Sequence, residues 1–284
     1  MPTTVLLTRS LAEYQTLARS RGLSLVNPAF YDPARNQVVC GSDLERLTDE
    51  MEQVRTHHAA LRAAAKGRMA ELSRVYRGKV PAELIVPFAD AEKRIVATEK
   101  RNEETLGRAR QRLFQRLYHE AFHAYLGTFV YHEKDHGLPL WLNEGLAQIF
   151  ETAIVEVGEL RIGHADPDRL ANVRHALARG TLLPLVDLLR SEHRHFQSAH
   201  RGDQHASDRY YLAAWALAFY LRFERKLVGT PALDDYLTAL RRGTDPLLAF
   251  RDLVGKPLPT FEQEFVRYLG RLRPDGTVGE PPAP

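Results

Sequence analysis

Apolar positions Leu44, Leu47, Met51, Val54, Leu61 and Ala65, with His58 among them, recur at alternating spacings of three and four on an otherwise charged stretch. That is the rhythm of a seam along one face of a long helix. It returns at Phe88, Ala91, Ile95, Thr98, Asn102, Thr105 and Ala109, after breaks expected at Gly78, Pro81 and Pro87. The pair predicts an antiparallel helical hairpin in which His58 sets register. The second arm runs without a breaker through "RLFQRLYHEAFHAYLGTF", with Gly127 as its expected end. Ahead of the hairpin, the β-rich pieces "TVLL" and "QVVC" flank the turn-like "NPAFYDPARN" and predict a small sheet, with 37–40 as an edge strand.

Beyond Gly137 and Pro139 a new helix is expected at "LWLNEGLAQIFE", then a hairpin "AIVEVGELRIG" turning at Gly158. Helices follow over about 166–178, 184–194, 208–226, 231–242, 245–254 and 259–272. The expected fold class is therefore α+β and mainly helical. One domain covers 1–272, with 43–113 as an inserted hairpin and 273–284 a tail of disordered composition.

Composition narrows the partners. Of 284 residues 44% are hydrophobic, enough for a core, and 39 basic against 36 acidic side chains leave only +3. With no basic tract, and with Glu and Asp interleaved on the Arg-rich helices, nucleic acid is not an expected partner. Cys40 stands alone, so no internal disulfide forms, and the compartment is left open. "MPTTVLLTRSLAEYQ" does not read as a signal peptide. The apolar run "YYLAAWALAFYL" at 210–221 falls short of the ~20 residues that span a bilayer, so no transmembrane segment is expected and a buried helix is.

Two pentapeptides fit H-E-x-x-H, "HEAFH" at 119–123 and "HEKDH" at 132–136. On a helix, residues four apart share a face, so His119 and His123 can turn ring nitrogens to one zinc ion with Glu120 beside it. Ala121 and Phe122, with Leu117, Ala124 and Leu126, suit a packed helix; Lys134 and Asp135, followed by Gly137 and Pro139, suit a polar loop. Catalytic zinc takes three protein ligands, and Glu144 follows His123 by twenty intervening residues, room for a loop and a returning helix. Only seven separate it from His136. The histidines of "HRHFQSAHRGDQH" at 193–205 are read as a solvated loop.

"HEAFH" followed by "WLNEGLA", with Glu151 seven positions after Glu144, resembles the gluzincin metallopeptidases, and in its size and short N-terminal sheet the chain resembles the peptidase MA-like family. The resemblance spans about 110–270. It implies a zincin-like fold, one Zn2+ held by His119, His123 and Glu144, Glu120 as general base, and a peptide or protein as substrate. It also implies an oxyanion-stabilising tyrosine, placing Tyr211 ten residues before Leu221, with Tyr210 as the neighbouring alternative. Glu151 and Asn143 are candidates to hold the histidine ligands. The chain has no G-x-M-E-N segment, the free-amine site of the aminopeptidase members; "DEMEQ" at 49–53 lacks its glycine and asparagine. The alternative expectation is a binding or scaffold protein of the same fold without turnover, using the helical hairpin as its partner surface.

Overall fold

The computed structural model describes residues 2–23, 27–130, 138–156, 159–197 and 204–280. It is mainly helical with a small three-stranded sheet. The chain runs β1 (Thr4–Thr8), α1 (Leu11–Ser20), β2 (Ala29–Asp32), β3 (Gln37–Gly41), α2 (Leu44–Val75), α3 (Ala82–Tyr125), a π-helical turn (Leu126–Val130) and α4 (Leu140–Phe150). There follow β4 (Ile154–Glu156), β5 (Glu159–Arg161), α5 (Pro167–Ala178), α6 (Leu185–Leu189), α7 (His193–Gln197) and α8 (Gln204–Phe219), which passes into a π-helical turn (Tyr220–Glu224). α9 (Pro231–Arg241), α10 (Pro246–Val254) and α11 (Leu258–Arg271) complete it. Two compact units share these elements: Met1–Val5, Leu25–Val38 and Gln115–Pro284 in one, Leu6–Ser24 and Val39–Phe114 in the other.

In the smaller unit α2 and α3 pair antiparallel. Arg55 meets Glu103, His58 meets Glu99, and Arg62 reaches both Glu92 and Glu99, so partner numbers fall along one arm as they rise along the other. The seam buries Met51, His58 and Ile95, but Leu61 is exposed and the neighbouring Arg62 crosses to α3 through its ion pairs. α3 starts ahead of Pro87, which the sequence reading had as a break. Pro87 sits in the second turn, where it removes one ladder N–H, and the helix continues beyond it. α1 was not expected, although Ser10 and Glu13 carry the reciprocal cap that marks a helix start: the Glu13 N–H donates to Ser10 Oγ at 3.1 Å and the Arg9 N–H to the Glu13 carboxylate at 2.8 Å.

The sheet order is β1-β3-β2. β3, the expected edge, is the middle strand, and β2 lies inside the piece read as a turn. Its two flanking prolines mask a short strand whose Ala29 and Phe30 are buried. β4 and β5 pair antiparallel, Val155 opposite Leu160, as the sequence expected, with the turn at 157–158 outside the described residues. The α-helical part of α3 ends at Tyr125, and the backbone continues through Gly127 as the π-helical turn. The single helix expected over 184–194 is two, α6 and α7, separated where Glu192 caps α7 by donating its N–H to His195 Nδ1 at 2.9 Å.

The larger unit is built around α8. Residues Ala213–Leu221 are buried on every side, as a helix that is apolar all round must be. α4, α5, α6 and α7 pack on it. α4 comes closest, because at Gly145 a Cβ would stand 2.3 Å from the Ala214 carbonyl oxygen and 2.8 Å from Ala218 Cβ. Only glycine allows that approach. Residues 273–280, read as a disordered tail, are held: Leu272 bridges Val278, Arg271 Nε donates to the Gly279 carbonyl at 2.7 Å, and the Ala165 N–H reaches the Pro274 carbonyl at 3.1 Å. Among the described residues no helix is long and apolar enough to cross a membrane.

Gly145→Ala is expected to cost about 3 kcal/mol, because the added methyl meets backbone that cannot turn aside. Gly67→Ala, on an exposed face of α2 with nothing within 4 Å, is expected to gain about 0.5–1 kcal/mol. Thermal unfolding followed by circular dichroism compares the two; a neutral Gly145→Ala would mean that α4 and α8 do not lie so close.

Candidate metal centre

Four residues per near-turn places His119 and His123 on one face of α3, with ring centroids 4.7 Å apart and the planes at 81°. α4 returns along that face with Glu144. His119 Nε2 lies 3.3 Å from Glu144 Oε2, and His123 Nε2 lies 3.7 Å from Glu144 Oε1. The other nitrogen of each ring is engaged elsewhere. His119 Nδ1 donates to Glu151 Oε1 at 2.6 Å and His123 Nδ1 to Asn143 Oδ1 at 3.0 Å. Both partners are acceptors at those atoms, so each Nδ1 carries a proton and the Nε2 of each ring is the atom turned to Glu144. His119, His123 and Glu144 thus form a group that could hold a metal ion.

The spacing fits such an ion. Two ligands each about 2.1 Å from a tetrahedral cation stand about 3.4 Å apart, close to the observed 3.3 and 3.7 Å. Charge fits as well. Glu120, Glu144 and Glu151 crowd the site, and Arg169 offsets one of them by pairing with Glu151. With neutral imidazoles two negative charges stay uncompensated, the charge that one divalent cation balances.

Without a cation, protons fill that role. Burial opposes protonation of His119, but its bonds to Glu144 and Glu151 outweigh it and lift the ring to about 10. Burial pushes Glu120 up to about 7, assisted by Glu144 and Glu151 and opposed by His119 and by the Tyr31 backbone N–H on β2. His123 is held below the ordinary imidazole value, first by burial. Burial works against the charge of Glu144, yet the His119 bond and the nearby His123 and His193 keep it below the carboxylate range. Glu151 is also low, its burial outweighed by His119 and Arg169.

Residues 115–232 match a family model described as Protein of unknown function (DUF1570). The match takes in the last quarter of α3 and all of α4 to α8, so it contains every residue of the group above. No curated protein and no solved structure matches the chain.

α8 contributes Tyr211. Burial first, then Glu144, Glu120 and Glu151, raise its phenol above the ordinary value, so it stays a protonated donor beside the carboxylates. Gln148 holds it in place by donating from Nε2 to the carbonyls of Tyr211, at 3.0 Å, and Glu144, at 3.2 Å. Tyr210 instead stacks on His195, centroids 4.9 Å apart. The decoy pentapeptide at 132–136 lies outside the described residues. Sequence reasoning missed two contributors. Arg169 carries no motif, and His193 was assigned to a solvated loop, whereas 193–197 form α7, whose Phe196 packs edge-on against Tyr211 at 5.1 Å. The signal for α7 was the single apolar Phe196 within a polar stretch.

A carboxyl whose folded value, about 7, lies above the ordinary 4.5 favours the fold while protonated. That contribution is complete below about 4.5 and is lost as the pH rises through 7. In metal-free protein, Glu120→Gln is therefore expected to raise the melting temperature at pH 8 and to change it little at pH 5. Melts at the two pH values check this; an equal effect at both would contradict the shift.

Proposed function

We propose that the chain is a zinc-dependent metallopeptidase of zincin-like fold, with one Zn2+ held by His119, His123 and Glu144. The observation that carries the reading is the convergence of both Nε2 atoms on the two oxygens of Glu144 beside a buried Glu120. When bound, zinc supplies Lewis acidity that brings a water's pKa toward 7 and polarises a carbonyl.

Glu120 is suited to move the proton. Its value near 7 lets it accept from the attacking water and return the proton to the leaving amine at neutral pH. Tyr211, kept protonated, donates a hydrogen bond to the carbonyl oxygen as negative charge develops on it. β2 is one of the two edges of the sheet, and its Tyr31 N–H faces Glu120, so an extended peptide adding along β2 would bring its backbone to the general base. A binding protein without turnover would have no use for a carboxyl buried beside the ligands but not among them, which favours the catalytic reading.

The experiment is hydrolysis of a mixed peptide library with and without chelator, with zinc content measured in parallel. His123→Ala is expected to lose the metal, and Glu120→Gln to keep it while hydrolysis falls about 10²–10⁴-fold. Tyr211→Phe is expected to lower the rate about 10²–10³-fold, and Tyr210→Phe to leave it unchanged. Full hydrolysis by Glu120→Gln, or no cleavage by zinc-loaded wild type, would refute the assignment.

A further inference from the structure

Arg169 leaves the first turn of α5, where the Asp166 side chain accepts from the N–H groups of Asp168 and Arg169, each at 2.9 Å, and so fixes the backbone it departs from. Its guanidinium makes a fork. Nη1 donates to the Gln148 carbonyl on α4 at 3.0 Å, and Nη2 pairs with Glu151 Oε2. The other Glu151 oxygen is the one that accepts the hydrogen bond from His119 Nδ1–H.

Glu151 is mostly covered, and with one oxygen tied only to His119 it could still turn about its own side-chain torsions. Arg169 pins the second oxygen and supplies the charge that lets the group remain a carboxylate, while its other prong ties that geometry to the helix carrying Glu144. A planar guanidinium does both at once, which an ammonium cannot. We infer that Arg169 is a positioning residue for the cation, acting through Glu151 on the orientation and Nδ1–H tautomer of His119. The inference rests on the reading of His119, His123 and Glu144 as cation ligands.

Its test uses the metal alone, so that it does not depend on hydrolysis. Zinc affinity is measured by competition with a chromophoric chelator, together with the visible spectrum of the cobalt(II)-loaded protein and thermal melts. Arg169→Met is expected to weaken zinc about 10–100-fold and to alter the cobalt spectrum, with Arg169→Lys recovering part of the affinity. In a Glu151→Gln background Arg169→Met is expected to add no further loss, because the route through Glu151 is already cut. Arg174→Met, which removes a bond from the same helix to the Leu272 carbonyl, 2.5 Å, is expected to lower the melting temperature and leave zinc affinity unchanged. Should Arg169→Met fail to fold, Arg169→Lys in both backgrounds carries the same comparison.

Wild-type affinity and spectrum in Arg169→Met overturn the inference, as does a loss that adds in full to that of Glu151→Gln, which would mark Arg169 as a plain staple between α5 and α4. Wild type that takes up no zinc overturns the inference and the metal-centre reading together. Wild type that binds zinc, with affinity indifferent to Arg169, overturns the inference alone.

Discussion

Three carboxylates, the buried Glu120 and the mostly covered Glu144 and Glu151, crowd around two imidazoles, and Arg169 offsets one of them. Solvent screens these charges less than charges at the surface, and two negative charges left together away from water are costly unless something neutralises them. Protons drawn onto His119 and Glu120 meet part of that demand, and His119, His123 and Glu144 form a group that could hold a cation to meet it.

The deficit persists because the scaffold holds the charges together. α8 is apolar on every side from Ala213 onward and takes α4 against it at Gly145, where a glycine permits backbone contact. That contact puts Glu144 and Tyr211 within reach of each other, and Gln148 ties their carbonyls with one amide. Arg169 then closes the arrangement from α5, and the Tyr31 N–H meets Glu120 from β2.

The helical elements and the cluster itself were legible in sequence because each rests on local spacing. His119 and His123 are four apart, the α2 and α3 seams repeat every seven, and Glu144 follows at a distance that allows a helix to return. What escaped was set by pairing between distant segments. β2 is only four residues between prolines and is a strand because β3 lies beside it; β3 is central for the same reason. Arg169 is one of many arginines, and nothing in its neighbours announces that Glu151 waits eighteen residues upstream. α7 and the segment 273–280 were read from polarity alone, yet each is held by a few specific contacts, Phe196 on Tyr211 and Leu272 with Val278.

The central claim is that a cation replaces the protons this cluster gathers, and calorimetry of zinc binding at pH 7 in buffers of different ionisation heat measures the exchange. With His119 near 10 and Glu120 near 7, one zinc ion per chain is expected to release about one to two protons. No binding, or binding with no proton released, would contradict the account.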